Sequence, residues 1–150
     1  MTIGEETEMG APVIVPDASV ILKWAFPSPD EEDRDKAMNI LFAWLSRKIE
    51  IILPKLWVFE VGNILGLKYS QSAQEIIEIF IGYGFTEQET TSALCRETLD
   101  LMKKYHVTFY DAVYHAVAIL NKGTLITTDK AYYRKGARVG YAVMLGDISF

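Results

Sequence analysis

Cysteine is almost missing from this sequence. Cys95 stands alone, so no disulfide can close within the chain. Its helical setting beside Leu94, Leu99 and Met102 predicts a buried small hydrophobe rather than a nucleophile or a redox centre. Long apolar runs are missing too. The longest candidate, 13–26, is interrupted by Pro16, Asp17 and Lys23 and falls short of the roughly 20 residues a membrane span needs. The first twelve residues are acidic and polar, the reverse of a secretory leader's basic start and apolar middle. Internal repeats, low-complexity segments and linkers are absent. The expectation is a soluble, cytoplasmic protein that makes no use of a membrane.

What is present is globular composition: 150 residues, 50% hydrophobic and 23% charged. A chain of this length buries roughly 70% of its unfolded surface, enough for one core without disulfide or metal staples. We therefore expect a single domain over 1–150, with 1–12 flexible or weakly ordered. The net charge of −5 argues against indiscriminate binding to nucleic acid, but its distribution is uneven. Nine of the twenty acids precede residue 36, five of them within 30–35. Beyond Leu120 the chain carries Lys122, Lys130, Arg134, Lys135 and Arg138 against only Asp129 and Asp147.

The short β-branched run at 13–15 has the pattern of a strand buried on both faces, and 49–53, 124–127 and 141–145 read as three more strands. Helical spacing predicts helices over 19–26, 30–48, 56–69, 73–81, 109–121 and 130–135. The stretch 79–85 is ambiguous between helix and strand. Thr86 followed by Glu89 is a capping-box pattern and predicts a helix from there to about Tyr105. His106 ends that helix, and Gly123 marks a turn. Strands alternating with helices imply an α/β fold, a three-layer α/β/α sandwich with a mainly parallel central sheet. Trp24, Phe26, Trp44 and Trp57 suit core or interface positions better than base stacking. His115, one turn beyond Asp111, suits a hydrogen-bonded packing role better than that of a ligand or general base.

Four acids stand out by apolar context. Asp17 lies in Val-Ile-Val-Pro-Asp-Ala-Ser-Val, Glu60 in Trp-Val-Phe-Glu-Val-Gly-Asn, Asp111 in Phe-Tyr-Asp-Ala-Val-Tyr-His, and Asp129 closes Leu-Ile-Thr-Thr-Asp. An unpaired buried carboxylate costs several kcal/mol, so each needs a partner. Asp17 and Asp129 follow strands and can cap the helices after them. Glu60 and Asp111 can each pair with a cation, although the neighbouring stretches offer chiefly Lys55 and Lys68. In parallel sheets ligands gather beyond the C-terminal strand ends. A shared metal accounts for all four acids together. All-oxygen ligands without cysteine clusters or paired histidines select Mg²⁺ or Mn²⁺ over zinc. Such sites support phosphodiester hydrolysis.

At these residues the sequence resembles the PIN-domain nucleases, and within them the toxin subunits of VapBC-type toxin–antitoxin pairs. The likeness runs from Val13 to about Leu145. It is carried by Pro16-Asp17-Ala18-Ser19, Glu60-Val61-Gly62-Asn63, Tyr110-Asp111-Ala112 with Ala116 and Ala118, and Thr127-Thr128-Asp129-Lys130. It implies that Asp17, Glu60, Asp111 and Asp129 ligate or orient one or two Mg²⁺ or Mn²⁺ ions, with Ser19, Asn63 and Thr127 in support. It further implies an RNA substrate, a protein antitoxin and a homodimer. Lys130, Arg134, Lys135 and Arg138 are candidate RNA contacts, or simply a solvated basic helix. Three other readings stay open: an RNA-processing PIN nuclease outside a toxin–antitoxin system, a non-catalytic PIN-like binding module, and an aspartyl-phosphate phosphohydrolase. Ser19 counts against the last, because those enzymes usually place a second aspartate there.

Overall fold

The computed structural model describes residues 10–26 and 32–149. Five parallel strands form one sheet: β1 (Val13–Pro16), β2 (Glu50–Pro54), β3 (Thr86–Gln88), β4 (Thr124–Thr127) and β5 (Ala142–Met144), in the order β3-β2-β1-β4-β5. The helices are α1 (Ala18–Ile21), α2 (Arg34–Leu45), α3 (Trp57–Lys68), α4 (Ala73–Gly82), α5 (Ser92–Tyr105), α6 (Phe109–Leu120) and α7 (Lys130–Gly136). The chain first winds outward from β1 to β2 and β3, then crosses to the far side of β1 and winds outward again. Right-handed crossovers place α1–α4 against one face and α5–α7 against the other. This is the expected α/β/α sandwich.

The central strands explain the core. All of β4 is buried, as are Ile14, Val15 and Pro16 of β1. Across them lies α6, buried without interruption from Ala112 to Ala118. Ala112, Ala116 and Ala118 have no exposed surface, and such small side chains permit close approach to the sheet. Gly123 completes the turn into β4; a Cβ there would stand 2.7 Å from the Val13 carbonyl oxygen. On the α1–α4 side, Phe85 packs among Trp24, Trp44 and Trp57 with ring centroids 4.6–6.1 Å apart, so the tryptophans are structural.

Several expected elements need correction. The capping box at Thr86 and Glu89 does not open a helix. Thr86–Gln88 is instead β3, pairing Ile52 with Thr86 and Pro54 with Gln88. The helix begins at Ser92, where the Thr91 hydroxyl accepts from the Leu94 N–H at 3.1 Å. The edge of β2 offers backbone groups that need partners, and that ladder outweighs a local cap. The ambiguous 79–85 stretch ends α4 and leads into β3. Cys95 is half-buried rather than buried. The expected helix over 19–26 is α1 followed by a 3-10 turn at Leu22–Trp24. The expected start of the 30–48 helix and the Pro27-Ser28-Pro29 stop fall largely on 27–31, outside the described residues. Most of the 1–12 segment lies outside them too, though Pro12 accepts from the Glu50 N–H at 2.9 Å. Among the described residues no helix is long and apolar enough to cross a membrane.

Candidate active site

The sheet's winding reverses between β1 and β4, and the crevice beyond their C-terminal ends is where an open parallel sheet binds ligands. Asp17 and Asp129 stand there. Asp17 caps α1: its Oδ1 accepts from Ser19 N at 3.0 Å, from Val20 N at 3.3 Å and from the Ser19 hydroxyl. Its backbone N–H donates to the Ile126 carbonyl at 3.0 Å, which fixes it to β4. Ser19 Oγ also accepts from the Thr128 N–H at 3.2 Å, and Thr127 Oγ1 from the Asp129 N–H at 3.0 Å. The Ser19 hydroxyl thus joins the β1 and β4 ends, and the Thr127 hydroxyl holds the Asp129 backbone. Asp129 caps α7 through the Tyr132 N–H at 3.0 Å.

The other two acids come from α3 and α6. Asp111 is exposed on the first turn of α6, and its N–H donates to the Thr108 hydroxyl that caps the helix. Glu60 is half-exposed, yet its Oε1 is buried without a hydrogen-bond partner among the described residues. The Tyr114 hydroxyl lies near enough to favour the Glu60 carboxylate, but it too is buried and completes no hydrogen bond of normal geometry. Asn63 is exposed and makes no side-chain hydrogen bond among the described residues, so it stands apart from this network.

Electrostatics tie the acids together. Burial pushes Asp17 up to about 6 against the pull of its hydrogen bonds to Ser19, Thr127 and the α1 backbone. Burial pushes Glu60 up to about 7; the Tyr114 hydroxyl opposes this, and the charges of Asp111 and Asp17 add to it. Asp111 is raised by burial, with Thr108 opposing and Asp129 adding, while Lys135 favours its ionised form. The Tyr114 phenol is raised far beyond its ordinary range by burial and then by Glu60, Asp17 and Asp111. Three carboxylates thus bear on one buried hydroxyl, and the fourth bears on Asp111.

The residues fit a hard divalent cation. All four candidate donors are carboxylates, their mutual repulsion lacks a buried counter-charge, and Glu60 presents an orphaned acceptor. Among the described residues no three ligating side chains already surround a single point. The acids face one region without forming a closed coordination shell.

Tyr114 and Thr108 escaped the sequence reading. The available signal was position: Tyr114 follows Asp111 by one helical turn on a helix otherwise too apolar to bury a phenol oxygen cheaply. His115 is fully buried and plays the packing role expected of it. Its Nε2–H donates to the Gly140 carbonyl at 2.7 Å, which leaves Nδ1 to accept from the Tyr132 hydroxyl at 2.7 Å. α6 is thereby pinned to α7, whose N-cap is Asp129. Gly136 makes room for this contact, since a Cβ would stand 3.3 Å from His115 Nδ1. Lys130, Arg134, Lys135 and Arg138 are all exposed on or just after α7.

The PIN domain family model matches residues 14–138. No curated protein matches the sequence. Among solved structures, a toxin–antitoxin complex from Klebsiella pneumoniae contains a chain 17% identical, with a TM-score of 0.64, covering 90% of this chain and 98% of that one. VapBC2 from Rickettsia felis, bound to a DNA fragment of its promoter, matches at 13% identity and a TM-score of 0.66, over 92% and 99% of the two chains. Mycobacterium tuberculosis VapC20, described as a toxin that cleaves the sarcin-ricin loop, matches at 14% identity and a TM-score of 0.61, over 83% and 95%. These likenesses are of fold. With the family model spanning most of the chain, the chain belongs to the PIN domain family.

Proposed function

We propose that this chain is a Mg²⁺- or Mn²⁺-dependent endoribonuclease that hydrolyses RNA phosphodiester bonds, acts as the toxin of a toxin–antitoxin pair and occupies 1–150 as a single PIN-like domain. The observation that carries the reading is the placing of Asp17 and Asp129 at the adjacent C-terminal ends of β1 and β4, with Glu60 presenting a buried, unpartnered carboxylate oxygen and Asp111 electrostatically coupled to both Glu60 and Asp129. Acids raised by burial and by one another need a compensating charge. The three toxin structures of the same fold favour this member of the nuclease class over an RNA-processing one.

Asp17, Glu60, Asp111 and Asp129 would hold the cation. When bound, it supplies electrostatic stabilisation for the charge that develops on the phosphodiester. The chain's own residues set the stage for it. Ser19 and the α1 backbone fix Asp17, so this carboxylate enters the site with little freedom left to lose. Tyr114 keeps its proton at any physiological pH, so its hydroxyl favours the nearby Glu60 carboxylate and does not act as a base. The α6–α7 pin at His115 holds the helix that Asp129 caps.

Exposed apolar residues support a protein partner, either an antitoxin or a second copy. Phe59 is 76% exposed and Leu67 78% exposed, two turns apart along α3. Purified protein with Mg²⁺ or Mn²⁺ should cleave RNA, and Asp17→Asn or Asp111→Asn should abolish cleavage. Cleavage that persists in both variants, or that appears only when divalent metal is removed, overturns the mechanism. Toxicity on expression, relieved by a co-encoded partner, tests the toxin role separately. Calorimetry without any divalent-metal binding would favour the non-catalytic module.

A further inference from the structure

The last turn of α5 and the last turn of α7 meet at the surface. Between them lies a cavity of about 470 Å³ walled by Lys104, Tyr105, His106, Arg134, Lys135 and Arg138. No carboxylate lines it. Cations near helix C-termini commonly do no more than offset the helix dipole. Here two such sets face each other across one hollow, and among the described residues none of Lys104, Arg134, Lys135 or Arg138 is in an ion pair. Apart from the Asp111 charge that Lys135 feels, their mutual repulsion is relieved by solvent or by an anion.

A second observation says which anion. A neighbouring cleft of about 330 Å³ contains Asp111 and Asp129, and His106 and Lys135 wall both cavities. The Lys135 ammonium donates to the His106 carbonyl at 3.4 Å and also favours ionised Asp111. One lysine therefore stands on the border between the acid site and the basic hollow. A strand with one phosphate at the acids meets concentrated positive charge directly beside them. A chain of net charge −5 needs such a local patch to retain a polyanion.

We propose that this basic cavity binds a backbone phosphate of the RNA strand, adjacent to the phosphodiester held at the four acids. The proposal rests on the nuclease reading above and extends it to the end of α5, which the sequence had not marked. Lys104, Arg134 and Arg138 grip the phosphate, and the Tyr105 ring offers a face for one base. The pocket is blind to sequence: it sets affinity and strand placement, not base choice.

The test uses a fluorescent single-stranded RNA bound to the full chain carrying Asp17→Asn, so that nothing is cut, with anisotropy read at several salt concentrations. Arg134→Gln with Arg138→Gln should weaken binding on the order of tenfold. The slope of log affinity against log salt should flatten by about 1.4, or about 0.7 for each lost contact to a single strand. Lys104→Gln, on the other helix, should weaken binding as well. The charge-matched control is Arg47→Gln with Lys48→Gln, two exposed residues just before β2 at the opposite end of the sheet. Binding of the α7 pair or of Lys104→Gln at the control's level overturns the pocket. Cleavage by the wild-type chain is scored separately: arginine-dependent binding without cleavage fails the nuclease reading and supports the pocket, while cleavage with control-level binding fails the pocket alone.

Discussion

Glu60 shows what a single misplaced-looking charge contributes. Its carboxyl is pushed up to about 7 from an ordinary 4.5, first by burial and then by the neighbouring acids. The metal-free native state therefore holds a proton that the unfolded chain releases. Relative stability from this group is present in full below about pH 4.5 and is lost as pH rises through about 7. Glu60→Gln cannot ionise and escapes that loss. The metal-free variant should match the wild type near pH 4 and exceed it at pH 8 by about 1 kcal/mol, after discounting for the screening of a half-exposed group. That corresponds to roughly 2–4 °C in Tm. Thermal melts in chelator across this range check it, and a variant less stable than the wild type at pH 8 would refute the account. The same residue explains why part of the site was legible in the sequence. An acid inside an apolar stretch must answer for its burial, so Asp17, Glu60, Asp111 and Asp129 could be picked out singly. Tyr114 could not, because its role depends on which acids the fold brings to its hydroxyl.

Among the elements, β3 and α5 show where local pattern and tertiary demand part. Thr86 and Glu89 carry the spacing of a capping box, yet Thr86–Gln88 pairs with β2, and Thr91 is the residue that caps α5. Thr91→Ala should cost about 1 kcal/mol, by loss of the acceptor for the Leu94 N–H. Thr86→Ala removes no cap and should cost clearly less. Urea denaturation separates the two, and equal losses would mean that the cap has been misplaced. The strands and helices legible in the sequence, β1, β4 and α6 above all, are those whose apolar pattern is set by burial on every side. β3 is short, polar and at an edge, with little apolar surface to announce it. The basic cavity was half legible for a similar reason. Arg134, Lys135 and Arg138 are neighbours in the chain, but Lys104 and His106 join them only because α5 ends where α7 does.

Across the molecule, a parallel sheet draws acids from two strand ends and two helices between residues 17 and 129, so on the proposed function cation binding and folding would be coupled. A carboxylate ligates a metal only when ionised, and in the metal-free protein Asp17 and Glu60 give up their protons near 6 and 7. A divalent cation must displace those protons at low pH and need not do so above about pH 8. Its stabilisation should therefore grow as pH rises through this window, opposite in direction to the metal-free trend at Glu60. At a concentration one hundred times its dissociation constant, a ligand that binds only the native state adds about 2.7 kcal/mol, or roughly 5–10 °C in Tm for a chain of this size. We expect an Mg²⁺- or Mn²⁺-induced shift of that order at pH 8, little shift at pH 5, and almost none at either pH in Asp17→Asn. Melting curves with and without metal measure it directly. A shift of equal size at both pH values, or one that survives Asp17→Asn, would place the cation on the surface and detach metal binding from the acids at the ends of β1 and β4.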